Sequence, residues 1–577
     1  MTSLAKTHIM ILKKVGKEED MKFSKMNYQR IQLDELRNEA TQIMNQFEAA
    51  ESGAEQFEIH KKYYALKDEV ATTVIIARIR HDIDTADEFY NQENDYYDEI
   101  LPEIKNLETT YLKKVFESPY RNELEEKIGK VAFTNMDLKF HSIDEKILPL
   151  MKQENALTSE YANLIAGAKI DWKGEELNLS LLRKYMTDSD RAVRAMACKK
   201  YEQFFQENGE ELDRIYDELV KNRTEQARIL GFENYIELGY NRFNRNCYRK
   251  EEVEAFRKQI KEYFVPFATK LHIKRQERLG LNELSFIDND VYFKDGNPAP
   301  AGTPEEIMEN GRKMYHELSK ETKEFIDFMM ENELFDVLGR KTKKAGGYME
   351  FLPQYNAPFV FANFNGTSGD IDVITHEMGH ALQGYISGKD PIREHADITM
   401  ETAEIHSMSM EFFTEPWMSL FFDEQTEDYI QSHFESCAVF IPYGCMVDEF
   451  QHRVYEKPEM TPAQRHGVWA ELEKAYRPHL SYKGYPYFEK GGFWQKQLHI
   501  YELPFYYIDY CIAQICAFQY KIWMDENYKE AWESYLHLCE LSASDYFVNL
   551  VEEAGLENPF KEGIVKKMVG KLEEKLN

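Results

Sequence analysis

Cysteine is scarce in this chain and odd in number. Seven residues, Cys198, Cys247, Cys437, Cys445, Cys511, Cys516 and Cys539, are spread over 577, and no two form a Cys-x-x-Cys pair. That excludes a disulfide scaffold and reads as reduced thiols in a cytoplasmic protein. Glycine and proline are also sparse, at 28 and 18, which excludes a collagen-like or low-complexity chain. No apolar run approaches the ~20 residues of a membrane span. The patch from Ile9 to Leu12 is too short even for the core of a signal peptide. Positive charge is in the minority: 71 Lys and Arg face 102 Asp and Glu, for a net charge of −31. A nucleic-acid binder needs clustered Lys and Arg against phosphate, so nucleic acid is not an expected partner.

What is present is a large hydrophobic fraction, 43%, ample for one continuous core. Met21-Lys22-Phe23 reads like a start, so residues 1–20 are expected to be an expression leader and are set aside. Most of the remainder carries apolar residues at three- and four-residue spacing among charges, the mark of amphipathic helix. Glu211–Leu230 is the cleanest case. Leu212, Ile215, Tyr216, Leu219 and Val220 mark one face, and Gly231 follows as a stop. One stretch breaks the pattern. Tyr348–Phe364 is aromatic, β-rich and interrupted by prolines, and predicts a small sheet, a hairpin with an edge strand. Asn365–Asp370 then reads as a turn and a helix start.

The segment after that turn carries the chemistry. His376-Glu377-Met378-Gly379-His380 places two imidazoles four residues apart, about 40° around a helix axis and one turn along it. They can share one metal ion, and Glu377 lies within reach of a water there. Neutral imidazole suits Zn²⁺, one per chain, and a catalytic zinc keeps three protein ligands and one open position. Chance supplies about 0.05 such matches in a chain of this composition, so the motif is informative.

A third ligand is required. Thr399–Phe413 reads as a buried helix rich in Met and aromatics, and it holds Glu401, Glu404, His406 and Glu411. A buried carboxylate needs a partner, which a metal provides. Glu404 and Glu411 are two turns apart on one face, so one could bind metal while the other orients a ligand histidine. Asp372, four residues before His376, is a further candidate for that supporting role, or else a charge placed at the helix N-terminus.

These residues, with Ala403-Glu404-x-x-Ser407-x-x-x-Glu411 and the preceding Phe364-Asn365-Gly366-Thr367-Ser368-Gly369-Asp370, resemble the thimet oligopeptidase and oligoendopeptidase F group of zinc peptidases. The nearest likeness is to the oligoendopeptidase F and Pz-peptidase branch. The resemblance implies His376, His380 and Glu404 as zinc ligands and Glu377 as general base. It implies a mainly α fold, an ellipsoidal helical body with a deep channel and a small sheet beside the zinc helix. Residues 21–200 are then a helical domain forming a channel wall, and 201–577 the catalytic domain.

In that family a Gly-rich loop precedes a histidine and tyrosines that face the zinc. Here Gly484–Gly492 precedes His499, Tyr507 and Tyr510, with Tyr506 as the alternative register. Phenol and imidazole donors stabilise a developing oxyanion, typically by ~2.7–4 kcal/mol each. Ala362 and Asn363, at the end of the short sheet, are expected to take extended substrate by strand addition. The implied activity is internal cleavage of short peptides. Two alternatives remain open: a related helical zinc carboxypeptidase or dipeptidyl carboxypeptidase, and a non-catalytic peptide-binding protein. Oligomeric state is not legible.

Overall fold

The computed structural model describes residues 21–576, so the expected leader at 1–20 lies outside the described residues. The chain is mainly α, as expected, with two small sheets. The face predicted at Glu211–Leu230 belongs to a longer helix, Arg191–Ile229, and its five marker residues are all buried. The helix extends back to Arg191 through Gly209, which is buried against the Tyr487 ring. It starts where the Asp190 side chain accepts from the Ala192 N–H as an N-cap. Gly231, at φ +90°, ends it. One apolar core runs from Phe23 to Leu572, and a smaller one is built by N-terminal helices between Leu36 and Met136.

Strands β1 (Ile170–Trp172) and β2 (Glu175–Leu177) form a tight hairpin. The second sheet combines β3 (Phe335–Leu338), β4 (Tyr348–Leu352) and β5 (Ala357–Phe364) in the order β3-β5-β4. The hairpin of β4 and β5 is the one predicted, with Leu352 opposite Ala357 and Tyr348 opposite Phe361. Its edge strand is β4, and β5 is the middle strand. The distant β3 pairs with it in parallel, Phe335 beside Val360 and Asp336 beside Phe361. Such a strand is covered on both faces, which is why Ala357–Ala362 is one continuous buried run rather than an alternating one. Pro358 is tolerated because it precedes the β3 pairing.

The middle strand aims the chain at the site. Beyond β5, the buried Asp370 carboxylate accepts from the Asn365 and Gly366 N–H groups at 2.9 and 2.8 Å, closing the turn. A continuous helix follows, α-helical at Gly369–Asp372 and Met378–Ser387 but widened to a π turn over Val373–Glu377. The wide turn was not predicted; the Ile374 carbonyl accepts a hydrogen bond from the Tyr315 hydroxyl at 2.8 Å. Single π turns of this kind are frequent at functional sites.

The Met400–Phe413 helix is buried almost throughout and crosses the motif helix at Gly379. A Cβ there would lie 2.5 Å from the His406 carbonyl oxygen and 2.6 Å from Ser407 Cα. Only glycine permits this approach. Gly379→Ala is therefore expected to cost about 1–3 kcal/mol by overpacking and to lower the thermal inactivation temperature. Gly467→Ala, where a Cβ meets nothing within 4 Å, should leave it unchanged or raised. Equal stability of Gly379→Ala and the parent protein would show that the contact is not tight.

Candidate metal centre

The π turn and the helix after it bring the His376 and His380 rings together, centroids 5.1 Å apart and nearly perpendicular. Glu404 reaches across from the crossing helix. Its Oε2 lies 3.4 Å from His376 Nε2 and 3.6 Å from His380 Nε2. These separations are long for charge-assisted hydrogen bonds. They match the ~3.4 Å edge of a tetrahedron whose centre is ~2.0–2.1 Å from each corner, the geometry of Zn²⁺ with N and O ligands. All three ligating atoms lie within 4.8 Å of one another, so the donor set fits a single tetrahedral ion.

The other candidates on the Met400–Phe413 helix stand elsewhere. His406 is fully buried with Nδ1 3.5 Å from Cys539 Sγ. Glu401 is buried without a hydrogen-bond partner for either oxygen. Glu411 accepts from His376 Nδ1 at 2.6 Å and, through its other oxygen, from His433 Nε2 at 2.6 Å. It therefore fixes the tautomer of His376 and presents Nε2 toward Glu404. Asp372 accepts from the Tyr429 hydroxyl at 3.1 Å rather than from a histidine.

Electrostatics follow from this packing. Burial pushes Glu404 upward, but the adjacent His376 and His380 overcome it and hold its carboxyl at about 2. Burial acts on Glu411 in the same way, and His376 and His433 hold it at about 2. Two further hydroxyls steady Glu404: Ser407 Oγ donates to Oε2 at 2.9 Å and Tyr506 to Oε1 at 3.0 Å.

The third component comes from Gln497–Tyr510. His499, Tyr507 and Tyr510 line one cavity of about 450 Å³ with His376, Glu377, Glu411 and His433. The His499 ring is 4.8 Å from that of Tyr507 and 6.2 Å from that of Tyr510. Burial pushes His499 down to about 4, so the ring is neutral near pH 7. Its neighbours fix its tautomer. The Tyr443 hydroxyl donates to Gln497 Oε1 at 2.7 Å, which turns the Gln497 amide nitrogen to His499 Nδ1 at 2.9 Å. Nδ1 then accepts, and Nε2–H is left as a donor. Tyr506 is held outside the cavity lining, stacked on Phe243 and bonded to Glu404. Phe505 just before it is at φ +74°, its N–H donating to Gln451 Oε1 at 3.0 Å and its carbonyl accepting from Arg245. The preceding Gly-rich loop is packed rather than loose: Phe488, Phe493 and Trp494 are buried, and Gly491 abuts the His466 carbonyl.

Ala362 and Asn363 lie away from this cavity. Ala362 is buried with its carbonyl taken by Lys343, and Asn363 donates to the Lys344 and Gly346 carbonyls at 2.9 and 2.8 Å. His433 and Tyr443 had no sequence signal, since each acts through a partner remote in the chain; Gln497 stands two residues from His499, but its orientation is set by the distant Tyr443. Ser407 did have one, at one helical turn from Glu404.

A helical body in which two imidazoles from one helix and a carboxylate from another fit a single metal ion defines a metallopeptidase centre. Comparisons with known proteins agree. Residues 23–143 match the Peptidase M3 N-terminal domain and residues 184–570 match Peptidase family M3. The structure of PZ peptidase A with inhibitor 2 superposes with a TM-score of 0.91 at 47% identity, covering 96% of this chain and 99% of that one. The group B oligopeptidase PepB of Streptococcus agalactiae is 22% identical over 86% of this chain and 82% of its own. An oligoendopeptidase F homolog of Borreliella burgdorferi is 20% identical over 90% and 91%. The chain belongs to Peptidase family M3, and is a metallo-oligopeptidase of that family.

Because Glu411 orients His376, Glu411→Gln is expected to weaken metal affinity about 10–100-fold. Competition with a chromogenic chelator measures it. Parent affinity in that variant would remove Glu411 from the orienting role.

Proposed function

We propose that the protein is a cytoplasmic zinc endopeptidase that cleaves internal bonds of short peptides, with His376, His380 and Glu404 as ligands and Glu377 as general base. The observation that carries this reading is the fit of those three ligating atoms to one tetrahedral ion, in contact with the cavity lined by Glu377, His499, Tyr507 and Tyr510. The oligopeptidase and oligoendopeptidase names of its relatives support short peptides as substrates. Seven free cysteines support a reducing compartment. No helix among the described residues is long and apolar enough to cross a membrane.

When bound, Zn²⁺ supplies Lewis acidity, polarising a peptide carbonyl and acidifying water. The chain's own groups then divide the proton work. Glu377 accepts a proton from the attacking water and delivers it to the amine that leaves. His499 donates from Nε2, and the Tyr507 and Tyr510 hydroxyls add donors, to the oxygen on which negative charge develops. Glu404 stays ionised through its histidine neighbours, so it competes for none of these protons. Strand addition along β5 is not part of this reading, because both sides of that strand are occupied.

A peptide blocked at both termini separates internal from terminal cleavage. We expect it to be cut internally, with activity lost to a chelator and restored by zinc. Glu377→Gln should keep one zinc per chain and lose about 10²–10⁴-fold in kcat/KM. Cleavage confined to free termini would make the protein an exopeptidase, and a fully active Glu377→Gln would remove the base.

A further inference from the structure

Seven arginines are buried among the described residues: Arg194, Arg223, Arg245, Arg257, Arg275, Arg465 and Arg477. Six have a carboxylate within ion-pair distance, namely Asp288, Glu154, Asp509, Asp448, Asp217 and Glu473 respectively. Arg275 has none. It lies on the Val265–Leu279 helix and is 1% exposed. Its one hydrogen bond is from Nη2 to His272 Nδ1 at 2.7 Å, and its Nε and Nη1 have no partner. The Tyr292 ring covers the guanidinium, 5.1 Å from its carbon.

The surroundings deepen the deficit of negative charge. His272 stacks on His479, whose Nε2 is also buried without a partner. Arg477 stands two residues before His479, and its Nη1 is 3.6 Å from Glu473 without a hydrogen bond. Burial pushes both histidines down, and the positive charges of Arg275 and Arg477 add to it. Among the described residues no acid is within ion-pair distance of Arg275 itself, and Glu473 faces Arg477. Glu435 is bidentate with Arg278 at 2.9 and 2.8 Å, and Asp290 accepts from Asn289. Glu473 accepts from Trp469 and Tyr482 through Oε1, while its Oε2 is buried without a partner.

A guanidinium cannot shed its proton in a protein, so it stays charged however it is buried. An uncompensated buried charge is strongly destabilising. Water would satisfy the free N–H groups but leave the charge. We propose that Arg275, with His479 and Arg477 beside it, forms a binding site for a small monovalent anion, a halide such as chloride. The site is separate from the metal centre, since none of these residues lines the catalytic cavity.

Crystals of the zinc-loaded full chain grown in sodium bromide test this directly. An anomalous bromine peak within hydrogen-bonding distance of Arg275 Nε or Nη1 is expected. Ordered water alone at those atoms, or a protein carboxylate closed onto them, would overturn the proposal. In solution, sodium chloride should raise the thermal midpoint by about 1–3 °C over sodium gluconate at equal ionic strength. Arg275→Met should abolish that difference. A difference of the same size in Arg275→Met would assign it to general salt effects and count against the site. The bromide map decides the question if that variant fails to fold.

Discussion

The site depends on one contact, the backbone-to-backbone crossing of two helices at Gly379. The motif helix carries both imidazoles, and the helix it crosses carries the carboxylate that faces them. With the added Cβ only 2.5 Å from a carbonyl oxygen, any side chain at this position forces the helices apart. A shift of a few tenths of an ångström is comparable to the tolerance of a metal–ligand bond. The glycine between the two histidines thus sets the third corner of the tetrahedron, although it touches nothing that reacts.

Around that crossing the protein alternates acid and base. Glu404, His376, Glu411 and His433 form one continuous chain of contacts, buried or partly so. Each carboxylate is held ionised by the imidazoles on either side, which offsets what burial would otherwise impose. A second chain, Tyr443 to Gln497 to His499, does the same for orientation without charge. The long Thr426–Glu456 helix supplies Tyr429, His433 and Tyr443 and so ties the two chains together. Rigid elements rather than loops hold the groups in place, as catalysis by preorganised donors requires.

Much of this was legible in the sequence, and the parts that were not share a cause. The His376–His380 pair is local, so helical spacing alone brings the two rings together. Four candidates on one helix could not be ranked from spacing, and resemblance to a family singled out Glu404, the residue the fold sets beside the histidines. The Tyr348–Phe364 segment revealed its hairpin but not its place in the sheet. The strand that makes β5 central comes from Phe335–Leu338, ahead of the hairpin and with little patterning of its own. The π turn at Val373–Glu377 was invisible because the residue that takes its carbonyl, Tyr315, lies on another helix. His433 was missed for the same reason, since its partner Glu411 lies on another helix.

The central claim is that His376, His380 and Glu404 converge on one ion. Anomalous diffraction on either side of the zinc edge, from crystals of the zinc-loaded protein, measures it most directly. The account predicts a single strong peak within about 2.0–2.2 Å of His376 Nε2, His380 Nε2 and a Glu404 carboxylate oxygen. A zinc peak coordinated by other side chains, or none between these three, would contradict it.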